Sequence, residues 1–150
     1  MSVGTDETVL LITRLFDAPR ERVFDAWMER DEWESWIGPE GVNCELPVME
    51  PKVGGRYRLL MDLADGQTIK VIGVYRVIER PSKIVFTWGP EDKPETTSNV
   101  TLTFRDAGNG KTELTLRHDG LQTADNRDAH GRGWNSALNK LARYVRGETP

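Results

Sequence analysis

Cysteine and histidine are scarce in this chain, and their scarcity removes several chemistries at once. The 150 residues hold one cysteine, Cys44, and two histidines, His118 and His130. A lone cysteine excludes an internal disulfide. A tetrahedral metal site needs three or four ligands, and neither a histidine pair four residues apart nor a cysteine pair exists, so no metal and no cofactor are expected. No long apolar run is present, and no positively charged start precedes an apolar segment. Neither a membrane span nor a signal peptide is expected, and the location that follows is cytoplasmic. Basic excess is missing as well: 20 Lys and Arg stand against 24 Asp and Glu, a net charge of -4. A nucleic-acid partner would call for a clustered Lys/Arg stripe, so none is expected. The glycines fall in turns rather than in the strand-to-helix pattern that cradles phosphate. Ser82, Ser98 and Ser136 lack the setting of a nucleophile elbow.

What is present is a globular composition, 37% hydrophobic and 29% charged, with five tryptophans. Its length suits one domain, residues 1–150, burying roughly two-thirds of its unfolded surface. No repeat, linker or low-complexity tract divides it. The most ordered signal is the stretch from Asp125 to Arg146. At about 100° per residue, His130, Trp134, Ala137, Leu138, Leu141 and Val145 share one sector, opposite Arg132, Ser136, Asn139 and Arg143. This spacing predicts a long amphipathic helix.

Upstream the pattern is mostly period two. Residues 8–16 are β-branched and apolar and read as a strand. Pro19 then opens a short helix bearing Val23, Phe24 and Trp27, and a second, Asp31 to Ile37, carries Trp33 and Trp36 before Gly38-Pro39-Glu40-Gly41 ends it. Strands follow at Asn43 to Met49, at Arg56 to Asp62 and, after the Asp65-Gly66 turn, at Thr68 to Glu79. Another carries Ile84, Phe86 and Trp88 on one side, and Gly89 to Ser98 reads as a loop. The last two, Asn99 to Asp106 and Lys111 to His118, flank Gly108-Asn109-Gly110. Their inward sets are Val100, Leu102, Phe104 and Thr112, Leu114, Leu116, His118. A meander of this kind makes an antiparallel sheet, and helices on one side make the class α+β. The sheet must curl around the terminal helix, and a helix crossing a curved sheet leaves space at one end.

That space is where a ligand site is expected. Trp36, Trp88 and Trp134 come from three elements that converge on it, and flat apolar faces suit a small apolar or aromatic molecule. With Met61, Phe86, Leu138 and the two inward histidines, His118 and His130, they form the candidate ligand-binding set. No residue is assigned as catalytic. The plain alternative is that the tryptophans fill a small core and the histidines are satisfied polar groups at its margin. Cys44 has no neighbour in sequence to activate it and reads as buried filler. Gly131 and Gly133 each cost a helix about 1 kcal/mol relative to Ala, for which close approach of the sheet or a ligand would compensate.

Taken in order, Ile12-Thr13-Arg14, Ala18-Pro19, Val23-Phe24-Asp25-Ala26-Trp27, Trp36-Ile37-Gly38-Pro39, Gly54-Gly55-Arg56-Tyr57, Asp65-Gly66, Thr87-Trp88, His130 with Gly133-Trp134 and the run Leu138 to Leu141 resemble bacterial proteins similar to the C-terminal domain of the activator of the heat-shock-protein-90 ATPase. The resemblance spans nearly the whole chain. It implies membership of the START-like, pollen-allergen-like helix-grip superfamily (SRPBCC), with a seven-stranded antiparallel sheet gripping the C-terminal helix and a cavity between them. Members of that superfamily include carriers, cyclases and hydrolases, so the fold leaves the activity open. Three readings follow. The first is a non-catalytic binding domain for a small apolar or aromatic molecule. The second is a module with a chaperone partner, acting through the outer sheet face or the Gly89 to Ser98 loop. The third is a cyclase- or hydrolase-type enzyme using His118 or His130 as acid or base.

Overall fold

The computed structural model describes residues 8–150. Residues 1–7, over which no leader segment is expected, lie outside the described residues. Its elements run β1 (Leu10–Phe16), α1 (Arg20–Met28), α2 (Arg30–Trp36), β2 (Asn43–Met49), β3 (Arg56–Asp62), β4 (Thr68–Glu79), β5 (Lys83–Pro90), a 3-10 turn at Pro94–Thr96, β6 (Ser98–Gly108), β7 (Lys111–Asp119) and α3 (Ala124–Val145). The seven strands form one antiparallel sheet in the order β1-β7-β6-β5-β4-β3-β2. Strands two to seven are thus a meander, and β1 closes against the last of them. Among the described residues no helix is long and apolar enough to cross a membrane.

Most boundaries fall within one or two residues of the sequence expectation, α2, β6, β7 and α3 among them, and three of the differences have a clear local reason. Pro19 is extended (φ -69°, ψ 161°), and its carbonyl accepts the first helical bonds from Arg22 and Val23, so it precedes α1 instead of opening it. The segment expected to be a loop between Gly89 and Ser98 is shorter, because Gly89 and Pro90 still pair with Ile72 and Val71 and Ser98 already pairs with Trp88. Residue 8 lies ahead of β1, which begins at Leu10.

Alternation decides which faces are inside. Tyr57, Leu59 and Met61 of β3, Ile84, Phe86 and Trp88 of β5, and Leu114, Leu116 and His118 of β7 are buried, whereas Arg56, Asp62, Lys111 and Arg117 are exposed. Register shifts interrupt β2 at Glu45/Val48 and β4 at Tyr75/Val77. Such bulges bend and twist a sheet, which is how this one curves over α3. On β4, Gly73 has no room for a side chain: a Cβ there would lie 2.0 Å from the Thr87 carbonyl oxygen and 2.3 Å from the Tyr57 ring. Tyr57 therefore lies across the strand, toward Trp33 and Phe86, with ring centroids at 5.3 and 5.8 Å.

The helix α3 is held at both ends. Thr123 accepts a hydrogen bond from the Asn126 amide at 3.0 Å, a cap worth about 1 kcal/mol. Asp125 in the first turn and Arg143 in the last complement its dipole. Trp134, Ala137, Leu138, Leu141 and Val145 are buried, and so is Lys140, which the amphipathic pattern does not anticipate.

Candidate functional site

Near the N-terminal half of α3 the sheet and the helix part, leaving a cleft of about 530 Å³. Residues three and four apart on α3 share a face, and Asn126, Ala129, His130, Gly133, Trp134 and Ala137 form that wall. The sheet supplies Met61 of β3, Ile69 and Val71 of β4, and Trp88 and Pro90 of β5. These neighbours are fixed by register: Met61 faces Ile69, and Val71 faces Pro90. The rim is built by Ile37 to Pro39 on one side and by Lys93 and Thr96 on another. Gly133 matters here because a Cβ at its position would meet nothing within 4 Å; the same atom at Gly131 would lie 3.3 Å from Leu10 of β1. One glycine opens the cleft and the other accommodates the sheet.

The rim segment after α2 is tied to α3. The Lys140 ammonium donates to the carbonyls of Ile37 and Pro39, both at 3.3 Å. The Glu40 amide donates to the Ser136 hydroxyl at 2.7 Å, and the Glu40 carboxylate pairs with Arg143. Burial lowers the Lys140 pKa. Gly38 turns with φ 85°, and a Cβ there would come within 2.6 Å of the Cys44 sulfur. Burial pushes the Cys44 thiol up to about 11, so it stays protonated at neutral pH and is no nucleophile.

Behind the cleft wall runs a chain of buried hydrogen bonds. The Trp134 indole N–H, which can only donate, gives its proton to Nδ1 of His118 at 3.0 Å. The His118 proton is therefore on Nε2, which donates to Oγ of Ser98 at 2.7 Å. Ser98 in turn donates to the Trp88 carbonyl, also at 2.7 Å. Each group is satisfied, and the direction of every bond follows from the first. His118 is fully buried, and desolvation first, with the neighbouring His130 second, holds its pKa down to about 3. Its function here is to hold Trp134. Ser98 accepts from the imidazole and gives its own proton to a backbone carbonyl, the reverse of what a serine nucleophile and its histidine base require. His130 lies 5.0 Å from His118 between ring centroids, and its Nδ1 is spent on the Asn126 carbonyl at 2.8 Å, leaving Nε2 for the cleft.

Of the eight residues picked out from the sequence, Met61, Trp88, His130 and Trp134 line the cleft. The other four do not. Trp36 is fully buried, with its indole N–H on the Ala26 carbonyl at 3.0 Å. Phe86 and Leu138 sit in the core, and His118 stands one layer behind Trp134. Trp88 and Trp134 meet at 5.0 Å between centroids, so two of the three tryptophans expected to converge do so at the cleft. The wall also holds residues that the sequence did not mark: Val71, Ile69, Leu121, Gln122, Lys93 and Thr96. Val71 lies on the strand expected from Thr68 to Glu79, for which no inward face was assigned. The segment from Lys93 to Thr96 carried no signal beyond its turn composition.

Comparison with known proteins places this arrangement. The family described as Activator of Hsp90 ATPase homolog 1-like protein matches residues 17–146. The chain belongs to that family. Among solved structures, a Chromobacterium violaceum protein superposes with a TM-score of 0.87 at 25% identity, over 93% of this chain and 98% of its own. The AHSA1 protein of Silicibacter pomeroyi superposes at 0.77 with 28% identity, over 92% and 97%. An Arthrobacter aurescens protein reaches 0.83 at 21% identity, over 97% and 91%, which speaks to the fold alone. A search of the curated proteins finds no match. The fold is thus the helix grip of the START-like superfamily, as the sequence resemblance implied.

Proposed function

We propose that this chain is a small-molecule-binding domain that takes an apolar or aromatic ligand into the cleft between sheet and α3. The observation that carries the reading is the cleft itself: about 530 Å³, within the usual range for small-ligand pockets, walled by Trp88, Trp134, Met61 and Val71. The chain from Trp134 through His118 and Ser98 to the Trp88 carbonyl ties the two tryptophan positions together, a preorganisation that lowers the ordering cost of binding. Catalysis has less support, because His118 has both nitrogens engaged and only His130 faces the cleft. The test is an amide NMR titration that follows the five indole signals against lipids, sterols and polyketide-like aromatics. Trp88 and Trp134 should shift together with one compound class while Trp27, Trp33 and Trp36 stay put. Five unmoved signals at high ligand concentration would sink the reading.

A second reading, a chaperone cofactor, draws on the family's description and on Leu11 and Leu15, which are 64% and 56% exposed on the edge strand β1. Its test is the ATPase rate of an Hsp90 homologue with and without this chain; an unchanged rate and no complex would remove it.

A further inference from the structure

The charges around the cleft say what kind of ligand suits it. The chain carries 24 Asp and Glu, yet none of the residues lining the cleft is acidic. One carries a fixed charge, Lys93, on the rim after β5. Asp92 and Glu95, its neighbours in sequence, do not line the cleft, and Arg58 at the same corner is held by Glu91 at 2.6 and 3.1 Å. The opposite wall offers polar side chains, Gln122, Asn126 and the His130 ring, beside the apolar faces of Trp88, Trp134, Met61 and Val71. Apolar surface inside, a cation at the mouth and no carboxylate anywhere on the wall form one electrostatic pattern in an otherwise acidic protein.

Resting on the binding reading above, we propose that the ligand is an amphipathic monoanion whose apolar body fills the cleft and whose carboxylate sits at the mouth against Lys93. A free acid would be favoured over its neutral analogue by the ammonium and tolerated by the absence of opposing carboxylates, whereas a cationic head would meet like charge and gain nothing. Because Lys93 is exposed, the head-group preference is modest and salt-sensitive. The tail carries most of the affinity, at about fourfold per methylene fully buried.

The test uses one tail and three heads: dodecanoate, dodecan-1-ol and dodecyltrimethylammonium, each titrated below its aggregation concentration while the indole signals of Trp88 and Trp134 are followed. Dodecanoate should bind about three- to fivefold more tightly than the alcohol at low salt, and the cation most weakly. The K93E variant should erase or reverse the order of acid and alcohol, and high salt should narrow the difference in the native protein. Equal binding of acid and alcohol, or a preference that K93E leaves intact, overturns the inference and leaves the binding reading standing. A preference lost instead in H130Q moves the carboxylate to the helix wall and overturns the assignment to Lys93. Failure of all three compounds to move either indole signal counts against the cleft as a binding site, and this inference falls with it.

Discussion

Two groups of aromatic residues sit a few ångströms apart in this protein and do different things. Trp27, Trp33, Trp36, Tyr57, Tyr75 and Phe86 pack in edge-to-face and tilted pairs into a closed cluster, with Trp27 and Trp36 at 4.7 Å and Trp33 and Tyr57 at 5.3 Å. Trp88 and Trp134 pack against one another at 5.0 Å and turn their remaining surface to the cleft. The groups touch, since Trp27 and Trp134 are 5.9 Å apart. Their polar atoms differ in part. In the core group the indole nitrogens of Trp27 and Trp33 and the Tyr75 hydroxyl have no hydrogen-bond partner among the described residues, while Trp36 and Tyr57 donate to the backbone carbonyls of Ala26 and Thr87; at the cleft the Trp134 N–H is the first link of the side-chain chain through His118 and Ser98. An aromatic that fills a core is fixed by shape on all sides. One that walls a cleft lacks contacts on one side, and here a buried hydrogen bond fixes it.

The sharpest way to break this comparison is truncation. Trp27→Ala empties a site enclosed by four aromatic partners and should destabilise the fold by about 3–5 kcal/mol. Trp88→Ala removes a ring already bordered by open space, and about 2 kcal/mol is expected, with a much larger effect on ligand affinity. Chemical denaturation of both variants checks the order. Equal losses would mean that the cleft wall is as tightly enclosed as the core.

The next contrast concerns the hydrogen-bond chain. His118 has a folded pKa near 3, well below its ordinary 6.5, so between those values the unfolded chain takes up a proton that the folded one refuses. Its contribution is complete above about pH 6.5 and is lost as the pH falls toward 3, at about 1.4 kcal/mol per unit. Between pH 6.5 and 5 that is about 2 kcal/mol. His118→Gln should lose this part of the slope while keeping a side chain able to donate and accept. The difference in denaturant midpoints between native protein and variant, followed from pH 7.5 to 5, isolates the effect. A constant difference across that range would show that His118 is readily protonated in the folded protein.

How much of this was legible beforehand follows from the same division. Alternation placed Phe86, Trp88, Leu114, Leu116 and His118 on the inner face, and the helical wheel placed Trp134 and Leu138 there too, because both patterns depend only on local geometry. Nothing local distinguishes a buried tryptophan from one that lines a cleft. Trp36 and Trp88 are equally apolar in sequence, and only the packing of α1 against α2 closes over the first. Lys140 shows the limit from the other side. A lysine in mid-helix reads as solvent-facing, yet two carbonyls freed where the chain turns after α2 draw it inward, and that turn lies about a hundred residues away in sequence. The rim at Lys93 was missed for the same reason, since it acquires meaning only once β5 and α3 set the cleft beneath it.

The smallest predicted effect compares two glycines on one helix. Gly131 and Gly133 have the same intrinsic cost, about 1 kcal/mol relative to Ala in a helix interior. Their surroundings differ: the new methyl group of Gly133→Ala meets nothing within 4 Å, and that of Gly131→Ala presses on Leu10 at 3.3 Å. Gly133→Ala should therefore raise the stability by most of that kilocalorie, and Gly131→Ala by less. Thermal unfolding of the two variants measures the difference. The methyl group at 133 also projects into the cleft, so it should weaken ligand binding while stabilising the fold. Opposite signs in the two readouts would mark a position kept open for a ligand. A gain in stability with unchanged binding would instead place the ligand elsewhere on the wall, nearer Met61 and Val71.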